Sequence, residues 1–153
     1  MIKVLVATDG SSYALHAADF VAKLCAQIQD SEVTIIYVID PGVVSAAAVT
    51  PTGVPIPSAV MLPQELEKAA ALALEATKQH LASSAKTLNT RVERGKPAEV
   101  IVKVAQDGKF DMIAVGSSGM GHIAGLLLGS VSDRVMHHAK GPVLIVRPAP
   151  EGK

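Results

Sequence analysis

The chain has 153 residues, which is ordinary for one domain and enough to bury a sheet covered by helices on both faces. Its 14 acidic and 14 basic residues balance, and no block of lysines or arginines marks a nucleic-acid footprint. Hydrophobic residues make up 49%, yet there is no tryptophan and only two tyrosines and two phenylalanines, too few for the stacking platforms that hold single-stranded bases. The single Cys25 cannot form an internal disulfide and reads as a small core residue in a reducing compartment. Met1 to Ala7 is too short for a signal-peptide core, and other apolar runs fall below the roughly 18 residues of a spanning helix. The expectation is a cytoplasmic protein with no membrane and no nucleic-acid partner.

In chain order, Ile2 to Ala7 is a nearly continuous apolar run, as in a strand buried on both faces, and Asp9-Gly10-Ser11-Ser12 ends it. From Ser12 to Gln29, Leu15, Ala18, Val21, Ala22, Cys25 and Ile28 recur at helical spacing behind serines suited to cap. Val33 to Ile39 repeats the buried-strand pattern, and Asp40-Pro41-Gly42 turns the chain. Pro41 to Pro63 holds five prolines and two glycines, longer than ordinary connections, and reads as a functional lid or a mobile segment. Gln64 to Leu88 is an alanine- and leucine-rich helix. Arg91 to Gly95 is the weakest strand and suits an edge. Pro97 opens a helix with an apolar stripe of Val100, Ile101, Val104 and Ala105, closed by Gln106-Asp107-Gly108. Phe110 to Val115 is a buried strand, a glycine-rich stretch runs to Ser130, a helix follows to Ala139, and Val143 to Val146 is the last strand.

Five strands alternating with four helices specify an α/β fold with a parallel sheet and right-handed crossovers. The expected form is a three-layer sandwich, flavodoxin-like or Rossmann-like, with strand order 3-2-1-4-5, in one domain spanning residues 1–153. That order leaves Val143-Leu144-Ile145-Val146 at an edge with no protecting charge, so a homodimer joined through this strand is expected.

Ligands of open parallel sheets bind beyond the carboxyl ends of the strands where the order reverses, here between the strand ending at Asp9 and the one ending at Gly116. The segment Gly116 to Ser132 offers both glycines that let a backbone curl around phosphate and a helix start with its partial positive charge. Taken alone, Ser130 and Asp133 read first as a plain capping box with no ligand. A Walker loop is absent, because Gly95-Lys96 precedes Pro97 and Gly108-Lys109 precedes Phe110. Gly119-Met120-Gly121-His122-Ile123-Ala124 matches the loose dinucleotide fingerprint, but Gly125 and Gly129 would interrupt its helix, and no acidic residue follows to hold a ribose.

Gly116-Ser117-Ser118-Gly119, nine residues, then Gly129-Ser130 resembles the loop of the ATP-binding branch of the universal stress protein family. The opening Ile2 to Ser12, the Val38-Ile39-Asp40-Pro41 turn and the closing Gly141 to Pro148 are similar to that family too, so the resemblance spans nearly the whole chain. It implies a stress-response protein that binds adenine nucleotide as a regulatory ligand. By the same resemblance Ala7, Thr8 and Asp9 line the adenosine side and the backbone of Val38 faces the base. Val115, Gly116, Ser117, Ser118 and Gly119 frame ribose and phosphate, and Gly129, Ser130, Val131 and Ser132 receive the terminal phosphates. Asp9 is placed either to hold a ribose hydroxyl or to approach a phosphate-bound Mg²⁺, and the sequence leaves both open. Ser118 departs from the family, many members of which carry a basic residue or histidine there. The lost positive charge leaves AMP or cyclic AMP open beside ATP, with His122 the one nearby substitute.

Efficient ATP hydrolysis calls for an aimed water, a base and a charged clamp on the phosphoryl group. The loop offers serines, amides and His122, so no catalytic residue is expected and turnover is at most slow. No metal-ligand spacing stands out: His137 and His138 are adjacent, and His16 and His80 lie in separate helices. Ser117 and Ser118 lack the flanks of a nucleophile elbow. Two other classes are left standing: an interaction protein acting without nucleotide, and a nucleotidyl or phosphoryl transferase, which the absence of a catalytic base and charged clamp disfavours.

Overall fold

The computed structural model describes residues 1–42, 63–119 and 128–148. The proline-rich segment from 43 to 62 and the stretch from Met120 to Leu127, with its His122, lie outside the described residues. Among the described residues nine elements alternate: β1 (Ile2–Ala7), α1 (Ser12–Cys25), β2 (Ser31–Ile39), α2 (Pro63–Leu81), β3 (Thr87–Arg94), α3 (Pro97–Asp107), β4 (Met112–Gly116), α4 (Ser130–His138) and β5 (Val143–Val146). All neighbouring strands pair parallel, as the alternation implies, and the sheet order is β3-β2-β1-β4-β5, the order expected of the flavodoxin-like form.

The side-chain alternation of a strand divides the core into two clusters, one on each face of the sheet. Val4, Val6, Val33 and Ile35 pack with Ala18, Val21, Cys25, Leu74 and Leu81 of α1 and α2. Leu5, Ile36, Ile113 and Val115 pack with Ile101, Val104 and Ala105 of α3 and Val135 of α4. Val4, Leu5 and Val6 are wholly buried, each contributing about 1.5–3 kcal/mol from side-chain burial. The central strand, which ends two residues before Asp9, is thus anchored on both faces.

Four element boundaries differ from the sequence expectation, some set by local hydrogen bonds and some by strand pairing. α1 stops at Cys25 rather than Gln29, because the chain tightens there: Gln27 N–H donates to Leu24 O at 3.1 Å and Ile28 N–H to Cys25 O at 3.0 Å. α2 stops at Leu81 rather than Leu88, and β3 begins at Thr87 rather than Arg91. Pairing with β2 from Glu32↔Thr87 to Ile39↔Arg94 draws residues 87–90 into the sheet, and Leu88 reaches the core from a strand. β4 starts at Met112, since Phe110 N–H still donates to Ala105 O at 2.9 Å behind α3.

Both edges are as expected. β3 is largely exposed and carries Arg91, Glu93 and Arg94. β5 is apolar and half-buried throughout, with β4 on one side.

Candidate functional site

The sheet order brings the carboxyl ends of β1 and β4 together, and the turns that follow them meet. Thr8 N–H donates to Ile36 O at 3.0 Å, extending the ladder one residue past β1. The carboxylate of Asp9 then accepts the Ser11 N–H at 2.9 Å, and Ser11 Oγ caps α1 by accepting the Ala14 N–H at 3.3 Å. A short acidic side chain, a glycine and a serine suit this corner, because local side-chain bonds replace the ladder that the turn gives up.

On the other wall Ser117 N–H donates to Val146 O at 2.9 Å, and Gly129 N–H donates to Ser117 O at 2.8 Å. The buried Ser132 shares its one hydroxyl proton between Ser117 O at 3.1 Å and Gly129 O at 3.0 Å. These bonds seat the start of α4 on the end of β4. The walls also fit closely. A Cβ on Gly119 would stand 2.5 Å from Asp9 Oδ2, and one on Gly129 would stand 3.1 Å from Ser118 Cα. A Cβ on Gly116 would meet the backbone of Tyr13 at 2.6 Å.

The helix start corrects one expectation. Gly129, not Ser130, is the N-cap of α4, and no side chain caps it, so Ser130 and Asp133 form no capping box. The first intrahelical bond runs from Asp133 N–H to Gly129 O at 3.0 Å. Helix geometry therefore leaves the N–H groups of Ser130, Val131 and Ser132 without intrahelical partners, facing the positive end of the helix dipole. Ser130 and Val131 are exposed, whereas the Ser132 hydroxyl is engaged inside, so only the amide of Ser132 belongs to the helix mouth.

Ala7, Thr8 and Asp9 thus lie on one wall, and Val115, Gly116, Ser117, Ser118 and Gly119 on the other, with Gly129 to Ser132 closing it. Val38 stands near the carboxyl end of β2, which outruns β1, and its side chain packs on the α3 and α4 face. Two residues that sequence reasoning passed over belong here. Tyr37, half-buried beside the α1 and α2 cluster, has its phenol pushed up from the ordinary value, first by burial and then by the negative charge of Asp9. Thr77 of α2 is fully buried and meets the Thr8 hydroxyl at 2.7 Å. Tyr37 had one sequence signal, its place beside Val38, while nothing local marks Thr77.

Among the described residues no group of three His, Cys, Asp or Glu side chains is arranged to hold a metal ion. His80 Nδ1 pairs with Asp19 Oδ1 at 2.5 Å across α1 and α2, while His137 and His138 turn Nδ1 to the carbonyls of Asp133 and Arg134 at 2.8 Å. A surface cavity of about 230 Å³ lies elsewhere, at the amino end of β4 and β5, lined by Ala105, Phe110, Ile113, Ala139 and Pro142. No helix among the described residues is long and apolar enough to cross a membrane.

A doubly covered parallel sheet, with a glycine-lined crevice and a helix start without a side-chain cap at its switch point, defines an open, doubly wound α/β fold. Comparison narrows this class. Residues 1–147 match the model of the universal stress protein family, and the chain belongs to that family. It is 34% identical over 147 residues to universal stress protein MJ0531 of Methanocaldococcus jannaschii, covering 95% of this chain and 81% of that one. Its structure is similar to that of the hypothetical protein MJ0577, with a TM-score of 0.80 and 28% identity over 98% of both chains. It is also similar to a universal stress protein in complex with cAMP, with a TM-score of 0.64 and 27% identity over 95% of this chain and 96% of the other.

Proposed function

We propose that this chain binds an adenine nucleotide, ATP, as a regulatory ligand in a stress response and turns it over slowly if at all. One observation carries the reading: the crevice between β1 and β4 sets Gly119 so near Asp9 that a Cβ there would meet the carboxylate at 2.5 Å, and it opens onto the start of α4, which no side chain caps. A backbone that lacks side chains where it must approach a ligand, next to a row of outward N–H groups, is the physical requirement for cradling phosphate. Ala7, Thr8 and Asp9 hold the adenosine side with the Val38 backbone at the base. Val115 to Gly119 follow the ribose and first phosphate, and the amides of Ser130, Val131 and Ser132 take the terminal phosphates. Any Mg²⁺ arrives on the phosphates, since the described residues offer no ready-made metal site.

The cAMP complex of a related protein makes a cyclic nucleotide the alternative ligand. Ser118, a neutral residue facing the phosphates, weakens the case for a triphosphate and is the chain's own argument for AMP or cAMP. No arginine or lysine is placed at the described walls to clamp a phosphoryl group, and on this reading the nucleotide acts as a signal rather than as fuel. The protein works in the cytoplasm as one domain and as a homodimer paired through Val143 to Val146. A second reading, an interaction protein acting without nucleotide, draws on that same apolar strand.

The test is to denature freshly purified protein and identify released nucleotide by chromatography and mass spectrometry, beside a Gly119→Val, Ser130→Ala double variant. Near-stoichiometric ATP, AMP or cAMP in wild type and none in the folded variant supports the proposal and names the ligand. Empty wild type that also ignores ATP and Mg²⁺ at millimolar levels rejects it in favour of the interaction protein.

A further inference from the structure

Two hydroxyls buried beneath the crevice form a chain whose direction is fixed by counting protons. Thr77 Oγ1 donates to Ala73 O at 2.8 Å, the carbonyl one turn earlier on α2, and so its single proton is used. Thr8 Oγ1 lies 2.7 Å from Thr77 Oγ1 and must therefore be the donor in that pair. Thr8 Oγ1 in turn accepts the Gly10 N–H at 3.1 Å. The chain runs Gly10 N–H to Thr8 O–H to Thr77 O–H to Ala73 C=O, with each hydroxyl donating once and accepting once. No buried side-chain oxygen or nitrogen among the described residues is left unsatisfied.

The same turn is also pressed against the same face of α2. Gly10 has φ +79, and a Cβ there would lie 3.0 Å from Ala73 Cβ. Only glycine adopts this conformation at little cost, and here its bareness also sets the distance between turn and helix. Asp9 sits between Thr8 and Gly10, so both flanks of its peptide are tied to α2. Its carboxylate abuts Gly119 on the far side, where a Cβ would be 2.5 Å from Oδ2.

We infer that Thr77 is a positioning residue for the Asp9 turn, setting the height of Asp9 against the glycine loop and hence the affinity for nucleotide. The nucleotide consequence rests on the proposed function; the positioning itself does not. α2 reaches the turn through one hydrogen bond, Thr8 to Thr77, and one close contact, Gly10 to Ala73, so a shift of α2 registers at Asp9. A valine at 77 would keep the shape but strand the Thr8 proton, and Thr8 would have to rotate and release the Gly10 N–H.

The experiment records amide NMR spectra of wild type, Thr77→Val and Thr77→Ser without ligand, then titrates each with ATP. In Thr77→Val the Gly10 and Gly119 amide signals move, Gly10 exchanges faster with solvent, and ATP binds about tenfold more weakly. Thr77→Ser, which retains the hydroxyl, restores both. Unchanged Gly10 and Gly119 signals in Thr77→Val overturn the inference, as does a moved Gly10 signal with unchanged ATP affinity. Should wild type bind no ATP, the nucleotide reading fails, and the amide signals still decide the positioning. Should Thr77→Val fail to fold, the buried hydroxyl protons of Thr8 and Thr77 are followed in wild type: ATP shifts both if the inference holds, and neither if it does not.

Discussion

Adding one methyl group at Gly116 and, separately, at Gly119 should produce opposite balances of damage. Neither glycine has a φ in the left-handed region, so alanine is conformationally allowed at both, and contact alone sets the cost. At Gly116 the new Cβ would lie 2.6 Å from the Tyr13 carbonyl carbon, 2.7 Å from its oxygen and 2.9 Å from Ala14 N. All three atoms are backbone in the first turn of α1, which Ser11 caps and the core holds. Overpacking costs about 1–3 kcal/mol, and an obstacle that cannot rotate away places Gly116→Ala near the top of that range. For a domain of this size about 3 kcal/mol lowers Tm by roughly 6–12 °C. At Gly119 the obstacle is the end of the Asp9 side chain, which can turn. Forcing it off its rotamer costs about 0.5–1.5 kcal/mol, or a few degrees. Gly119→Ala should therefore stay folded and lose nucleotide affinity, while Gly116→Ala loses stability first. Thermal unfolding by circular dichroism, paired with ATP titration calorimetry, measures both. A Gly116→Ala protein melting within about 2 °C of wild type would refute the close seating of β4 on α1. A Gly119→Ala protein with undiminished ATP affinity would refute the cradle.

Tyr37 gives a pH test. Its phenol is raised above 10.0 in the folded state, by burial first and Asp9 second. The native protein thus holds that proton more tightly, and the associated stability is full below pH 10 and lost as pH rises through the folded value. Asp9→Asn should lower the Tyr37 ionisation part of the way, read by NMR of labelled tyrosine rings; an unmoved titration would separate the two groups. The edge strand gives a test of assembly. Ile113 N–H donates to Pro142 O and Ser117 N–H to Val146 O, so by the alternation of a parallel ladder Val143 and Ile145 turn their backbone groups outward. Ile145→Pro removes one outward donor without breaking the β4 ladder and should convert a strand-paired dimer to monomer in sedimentation velocity. Persistence of the dimer would move the interface elsewhere.

The central strands were legible because both of their faces are buried, which leaves near-continuous apolar runs such as Val4-Leu5-Val6 and Ile35-Ile36, each followed by an aspartate turn. Their alternation with helices specifies a parallel sheet but not its order, and it is the observed order that brings Asp9 to Gly119, 110 positions apart in a 153-residue chain. The start of β3 was not legible: Thr87, Asn89 and Thr90 are exposed, and only pairing with β2 makes them strand. Ser130 looked like a cap because the local pattern Ser-Val-Ser-Asp fits one, yet the bond from Gly129 N–H to Ser117 O shifts the cap back by one residue. The Thr8 and Thr77 pair, 69 positions apart, is set by the seating of α2, and no local pattern encodes it.

The most direct measurement is the amide NMR response of ¹⁵N-labelled, nucleotide-free protein to ATP and, separately, to adenosine. Nucleotide cradled as proposed shifts Ala7, Thr8, Asp9 and Val38 with either ligand, and Gly119, Ser130, Val131 and Ser132 with ATP alone. Shifts confined to other surfaces, or none with ATP at millimolar concentration, would contradict the assignment of this crevice to an adenine nucleotide.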